Sequence, residues 1–342
     1  MKSAKVLVTG ASGFVGGALS SRLLENSIPL RCQYRRGNNT LKQLEHRGAE
    51  LVQTDLSPPL NSTPQYQAML ENLVQGVETL YHSAAYVSDW GPKEAFVRTN
   101  FEATRLLFEA AQKAGVKRFI FVSSLAVHGF GRHRGSTEEG PWYPLVSHYQ
   151  SSKKMAEDYI LNRSEKNAPM ACVIRPGNVY GPGDTTTTFK IFDAMRKGIM
   201  GYIDGGRALT SPIYIDDLLN VLLIAGSRDD IAGEAFNITS GEVISWREYL
   251  ELAAGALHVR KPSINLPKWI AKLAGHLMNG LWTVARANKG PALTPYRVDM
   301  VINDYNFDTS KARTVLGFNA EVSSREGMIK TAESYWNTRG NP

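Results

Sequence analysis

Val6-Leu7-Val8-Thr9-Gly10-Ala11-Ser12-Gly13-Phe14-Val15-Gly16 decides how this chain is read: an apolar run, a threonine, then three glycines spaced Gly-x-x-Gly-x-x-Gly as a helical pattern begins. Backbone without Cβ turns tightly and comes close to a pyrophosphate, which then faces the free N–H groups of a helix N-terminus. The spacing alone is weak, because the commoner dinucleotide form has one residue between its first two glycines; its position on a strand-to-helix junction gives it weight. Ser12, Phe14 and Val15 share the expected cofactor contact with Gly10, Gly13 and Gly16.

Working outward, short β-rich runs alternate with longer helical patterns up to about Arg175. Val6–Val8, Leu30–Tyr34, Leu51–Thr54, Thr79–His82, Phe119–Val122 and Cys172–Arg175 read as strands, and Phe14–Asn26, Tyr66–Val74, Glu94–Ala114 and His148–Arg163 as helices. Such alternation predicts an α/β fold, a doubly wound parallel sheet with helices on both faces. After Gly177 the pattern loosens into Gly-, Pro- and Thr-rich stretches with isolated helices, the mark of a smaller C-terminal substrate lobe. The division expected is 1–176 for the dinucleotide-binding unit, with 212–240 returning to it, and 177–211 plus 241–342 for the lobe.

At 342 residues and 43% apolar content the chain can fill such a core, and its +7 charge comes from scattered Lys and Arg rather than runs, which argues against nucleic acid. Cys32 and Cys172 are too few for a disulfide framework or a metal cluster, so no metal is expected and a reducing compartment is the plainer reading. The first ten residues do not resemble a signal peptide and no window resembles a membrane span; the expectation is a soluble cytoplasmic protein.

About twenty residues past the glycine turn, where an NAD enzyme places an acid for the ribose hydroxyls, stands Gln33-Tyr34-Arg35-Arg36. Arginine cannot accept those bonds, but its planar fork suits a 2′-phosphate. NADP(H) is therefore the preferred cofactor, with NAD(H) the alternative. Asp55-Leu56 would edge the adenine, though Asp55 reads equally well as a turn cap, and Ser83-Ala84-Ala85 would let the cofactor pass closely.

Tyr149-Gln150-Ser151-Ser152-Lys153 opens a helical segment in which a spacing of four stacks phenol and ammonium one turn apart. A free phenol is a poor base near neutrality; a neighbouring ammonium and a positive nicotinamide ring favour its phenolate, and in reduction the same group gives a proton to a ketone oxygen. Phe121-Val122-Ser123-Ser124 ends a strand where a parallel sheet meets its ligand crevice, so a serine hydroxyl there can hold the substrate oxygen against the tyrosine.

With these residues in hand, the chain resembles the extended short-chain dehydrogenase/reductases, which share the Rossmann fold and include nucleotide-sugar epimerases, 3β-hydroxysteroid dehydrogenases, sterol-4-carboxylate dehydrogenases and dihydroflavonol reductases. The resemblance runs through Thr9-Gly10 to Gly16, Asp55-Leu56, His82 to Ala85, Asn100, Ser123-Ser124, Tyr149 with Lys153, Arg175 to Gly183 and Tyr214 to Asp217. It implies catalysis by Ser124 rather than Ser123, with Tyr149 and Lys153. It also implies support of the Lys153 region by Asn100 at the cofactor, Pro176 to Val179 beside nicotinamide and substrate, and Asp216-Asp217 at the lobe junction. Val87-Ser88-Asp89-Trp90-Gly91-Pro92 resembles the tryptophan-glycine loop of 3β-hydroxysteroid and sterol dehydrogenases. That implies a hydrophobic, steroid-like or 3-keto substrate touched by Val87, Trp90 and Asn178 as well as Ser124 and Tyr149.

Leu266, Trp269, Ile270, Leu273, Leu277, Leu281 and Val284 fall at helical spacing, with Lys268, Lys272 and His276 off the stripe. A lobe helix packed on its neighbours is the first reading; a helix roofing a greasy pocket or making weak membrane-surface contact through 266–285 is the alternative. A homodimer through the helices at 94–114 and 148–163 is what the resemblance allows. The leading expectation is an NADP-dependent oxidoreductase interconverting a secondary alcohol and a ketone on a small-molecule substrate. Its rivals are a nucleotide-sugar epimerase or dehydratase with retained cofactor, and a non-catalytic NADP sensor, which the Tyr149–Lys153 pair disfavours.

Overall fold

Near-continuous apolar runs form the strands because helices cover both faces of the sheet they build. In the computed structural model, which describes residues 5–59, 63–163, 169–285, 287 and 289–340, the sheet strands are β1 (Val6–Thr9), β2 (Leu30–Tyr34), β3 (Glu50–Gln53), β4 (Thr79–His82), β5 (Arg118–Val122), β6 (Met170–Pro176) and β7 (Ala235–Ile238). Their order is β7-β6-β5-β4-β1-β2-β3, with every neighbouring pair parallel. The order reverses between β1 and β4, and in such sheets the crevice at the carboxyl ends of the strands on either side of the reversal is where ligands bind.

Alternation within single strands sorts the two cores. Val6 and Val8 of β1, Ile120 and Val122 of β5, and Cys172 and Ile174 of β6 join one apolar cluster with Leu19, Leu23, Leu41, Leu44, Leu218 and Leu222. Leu7, Phe119, Phe121, Ala171 and Val173 point the other way, onto Tyr66, Leu70, Leu107, Phe108, Ala156 and Ile160. Each fully buried side chain of this kind stabilises the fold by about 1.5–3 kcal/mol, and Phe119→Ala would cost about 3–5 kcal/mol. On the first face lie α1 (Phe14–Glu25), α2 (Asn39–His46) and, later in the chain, Ile215–Ser227; on the second lie α3 (Pro64–Val74), α4 (Ala103–Lys113) and α5 (His148–Leu161). Ser147 caps α5 in a reciprocal capping box with Gln150, which sets where the helix carrying Tyr149 and Lys153 begins.

Three expectations need correction. The helix α2 was not expected; it is one short amphipathic unit whose only buried residues are Leu41 and Leu44, too few to show a period, and the Asn38 cap on the Leu41 N–H starts it. The pattern at 94–114 is a helix in three parts, Lys93–Phe96, a π-helical stretch Val97–Glu102, and α4. Leu266 lies in a short strand, Ile264–Leu266, ahead of the helix Lys268–Val284. That helix buries only Ala271 and Gly275, so its leucine stripe does not pack on neighbours.

Candidate active site

The glycine turn is built for close approach. Gly10 has φ +71, and a Cβ there would fall 2.8 Å from the Ala84 Cα; a Cβ on Gly16 would fall 2.3 Å from the Gly10 carbonyl oxygen. The Gly13 N–H donates to the Gly10 carbonyl at 2.8 Å, and α1 begins at Phe14 without a side-chain cap or an acid in its first turn. Its N-terminal N–H groups stand open to an anion, beside the half-exposed Ser12, Phe14 and Val15. Gln33, which sequence reasoning passed over, holds the turn in place: its Oε1 accepts the Gly10 N–H at 3.0 Å and its Nε2 donates to the Thr54 carbonyl at 2.6 Å. Asn38 adds a second tie, donating to the Ser12 carbonyl at 2.8 Å.

Beyond the end of β2, Arg35 and Arg36 are exposed, and no ion pair holds either guanidinium among the described residues. Asp55 is exposed and accepts the Ser57 N–H at 2.9 Å, so it caps a turn while its other oxygen stays open; Leu56 is buried, its carbonyl taken by the Tyr66 hydroxyl.

At the end of β4, Ser83 donates to the Thr9 carbonyl at 2.7 Å, and Ala84 and Ala85 keep the floor low. Buried His82 bridges Thr9 Oγ1 and Thr104 Oγ1, each at 2.8 Å. Because the Thr104 hydroxyl donates to the Asn100 carbonyl, the imidazole Nε2 must carry the proton and Nδ1 must accept from Thr9, whose oxygen receives the Ala84 N–H. Burial, and then the Lys153 charge, push His82 down to about 3, so it stays neutral.

Asn100 lies in the π-helical stretch and turns inward. Its Oδ1 accepts the Tyr86 N–H at 2.7 Å, and its Nδ2 donates to the Tyr86 carbonyl and to Ser152 Oγ, at 3.2 and 3.0 Å. It is 1% exposed and links the loop after β4 to the helix of Lys153. The fold aims it there by widening the helix locally, which no residue pattern announces.

Ser124, Tyr149 and Lys153 come together at the carboxyl end of β5. Ser124 lies close enough to Tyr149 to lower its phenol, and the Ser124 Oγ accepts the Ala126 N–H at 3.2 Å. Burial raises the Tyr149 phenol and Ser124 pulls it down, so the protein by itself holds this tyrosine protonated. Burial and Ser124, rather than the expected Lys153 charge, set the shift of Tyr149 in this state. Lys153 Nζ donates to the Val122 carbonyl at 2.6 Å and sits 4.0 Å from the centroid of the Phe121 ring; burial pushes it down to about 7, against the pull of Glu157. Ser123 is buried and donates to Glu157 Oε2 at 2.8 Å, while the other carboxylate oxygen of Glu157 receives the Arg175 guanidinium. The two adjacent serines thus divide their work, Ser123 bracing the interior and Ser124 facing the crevice.

The lobe closes over this edge through contacts distant in sequence. Trp90 Nε1 donates to the Ala287 carbonyl at 2.9 Å and the indole lies against Gly290. Asp89 accepts from Arg297 at 2.8 Å and from Thr294 at 2.5 Å. These contacts set the short helix Pro295–Ile302 so that Tyr296 comes near Tyr149: burial first, then Tyr149 and Asp89, raise the Tyr296 phenol. Tyr296 was not foreseen; no local motif marks it. Val87 stays exposed at the loop's outer side. Asn178 donates to Thr210 Oγ1 at 2.8 Å, Val179 pairs in register with Ile213, and Pro176 ends β6 opposite Ile238. At the lobe junction Asp217 accepts the Glu321 and Val322 N–H groups and Asp216 pairs with Arg22 of α1 at 2.7 Å.

The family model of the NAD dependent epimerase/dehydratase family matches residues 6–239, more than half of the chain. This chain belongs to that family. As an epimerase/dehydratase-family member it is 28% identical over 95% of its length to 94% of the 4-hydroxy-2-methyl-3-oxo-4-farnesyl-3,4-dihydroquinoline-1-oxide ketoreductase of Stigmatella aurantiaca. It is 27% identical over 99% of its length to 92% of the decarboxylating sterol-4-alpha-carboxylate 3-dehydrogenase of Mus musculus. The structure of MoeE5 in complex with UDP-glucose and NAD superimposes with a TM-score of 0.77 at 23% identity, covering 98% of this chain and 100% of that one, which shows the shared fold. Dehydrogenases and a ketoreductase among full-length relatives support an oxidoreductase acting on a small molecule with a nicotinamide dinucleotide. No helix among the described residues is long and apolar enough to cross a membrane.

Proposed function

We propose that this family member catalyses the NADP-dependent interconversion of a secondary alcohol and a ketone on an apolar small molecule. The observation that carries the reading is that Tyr149 and Ser124 come together at the end of β5, with Lys153 buried on the same helix and tied to the Val122 carbonyl. The glycine turn, whose Gly10 and Gly16 leave no room for a Cβ, fits a pyrophosphate; Arg35 and Arg36 fit a 2′-phosphate; Ser83, Ala84 and Ala85 fit a cofactor passing close to backbone. A bound nicotinamide dinucleotide supplies or accepts the hydride.

This chain's own residues handle the oxygen and its proton. The Ser124 hydroxyl orients the carbonyl oxygen, and the Tyr149 hydroxyl, held protonated by burial, gives its proton to that oxygen during reduction. Lys153, one helical turn away and tied to the Val122 carbonyl, holds the helix of Tyr149 against the end of β5, so that phenol and Ser124 meet the same oxygen. The apolar character of the substrate is supported by the ketoreductase and sterol dehydrogenase relatives and by the loop of Val87 and Trp90, closed against the lobe near Tyr296.

The test is a spectrophotometric panel of ketones, hydroxysteroids and sugar nucleotides with NADPH and NADH in parallel. Apolar ketones should consume NADPH, and Tyr149→Phe should lower turnover about 100-fold or more with NADPH affinity unchanged. Arg35→Ala with Arg36→Ala should weaken NADPH about tenfold or more and leave NADH untouched. Conversion of a sugar nucleotide without net cofactor consumption would overturn the reading in favour of an epimerase.

A further inference from the structure

The helix Lys268–Val284 carries an apolar face on its outside. Trp269, Leu273, Leu277, Leu281 and Val284 are between 54% and 85% exposed, and at about 100° per residue they span an arc of about 120°. The opposite face, Ala271 and Gly275, packs on the lobe: a Cβ on Gly275 would lie 3.2 Å from Val298. Lys268, Lys272, His276, Asn279 and Thr283 share one flank between the two faces. A helix with this order of faces is not completing a core; it presents a greasy strip bordered by cations to whatever lies outside.

The surrounding charge selects the occupant. Residues 252–298 contain seven lysines and arginines and no aspartate or glutamate; Lys261, Lys272 and Arg297 pair with Glu251, Asp299 and Asp89, and Lys268 on the helix flank has no acidic partner among the described residues. The cations on the flank bring no acidic residues with them to pair with in a second copy of the same face, whereas an anionic lipid surface complements them. The helix has 17 residues and does not qualify as a membrane span, so its geometry is that of a helix lying in the interface. We infer that the outer face of Lys268–Val284 docks on an anionic lipid bilayer. The helix runs toward Ala287, whose carbonyl holds Trp90, so on the functional reading above docking sets the apolar substrate loop beside the phase in which an apolar substrate dissolves.

The experiment is co-sedimentation of the full chain with vesicles of phosphatidylcholine alone and with phosphatidylglycerol added. The wild type should bind the anionic vesicles and be released by high salt, and the double substitution L273E/L277E should lower binding about tenfold or more. Equal binding by the double variant, or no binding to anionic vesicles, overturns the inference. A wild-type dimer in sedimentation that L273E/L277E dissociates, without vesicle binding, assigns the face to a second copy instead. NADPH-dependent reduction of a short, water-soluble ketone should be unchanged in L273E/L277E. Its absence from the wild type would sink the functional reading and leave the docking result standing.

Discussion

Lys153 is anchored on Val122: its ammonium donates to that carbonyl at 2.6 Å, on the last residue of β5, directly before Ser123 and Ser124. One hydrogen bond thus joins the helix that carries Tyr149 to the strand that presents Ser124. Charge is disfavoured at this depth, and Lys153 is pushed down to about 7 from an ordinary value of 10.5.

The first prediction follows from that anchoring. Between about pH 7 and 10.5 the unfolded chain carries the Lys153 proton and the folded one does not, so stability rises with pH across this window and the cost of burying the charge is fully present below it. Denaturant unfolding of the wild type and Lys153→Met should diverge with pH there, by at most about 1.4 kcal/mol per pH unit. Turnover of Lys153→Met should fall about 100-fold at pH 7, and parallel stability curves for the two proteins would contradict the assignment.

Ser123 and Ser124 should separate cleanly. Ser124→Ala removes a group facing the crevice together with the cap on the Ala126 N–H, so kcat should fall about tenfold to 100-fold with a stability loss of only about 1 kcal/mol. Ser123→Ala leaves a carboxylate oxygen of fully buried Glu157 without its donor, and stability should fall about 1–3 kcal/mol. Paired melting and steady-state measurements decide, and reversed phenotypes would exchange their roles.

Asp89→Asn weakens the tie between the loop at 87–92, which the proposed function sets against the substrate, and the lobe. Because Arg297 is partly solvated, the effect should be about 1 kcal/mol, seen as an approximately fivefold rise in KM for substrate with cofactor affinity unchanged. A matching loss of cofactor affinity would show that the loop serves the dinucleotide.

Acid should destabilise the protein through buried imidazoles. Burial pushes His82 and His128 down to about 3 and His133 to about 4, so below about pH 6.5 the unfolded chain takes up protons that the folded chain refuses. Stability is therefore lost as pH falls from about 6.5 toward 4, each histidine contributing up to about 1.4 kcal/mol per pH unit. Urea titrations should show a shallower pH slope in His82→Gln; an unchanged slope would remove His82 from the account.

The sheet was legible because buried parallel strands must be apolar throughout and must alternate with helices, a constraint written into local composition at Val6–Thr9, Thr79–His82 and Arg118–Val122. The glycine turn and the Tyr149–Lys153 spacing were legible for the same reason: their chemistry lies within one turn of chain. Gln33 was not, since its task is set by Gly10 and Thr54, each about twenty residues away.

By itself, then, the sequence determined the parallel α/β scaffold, the cradle for a dinucleotide and the phenol–ammonium pair, all of which follow from short-range steric and periodic rules. Only the tertiary structure decided that Ser123 braces Glu157, that Asn100 faces inward, that Tyr296 approaches Tyr149 across a lobe held by Asp89, and that the leucine stripe after Lys268 looks outward. Those outcomes depend on which remote surfaces meet, and a linear pattern specifies that a face is apolar without specifying what it will face.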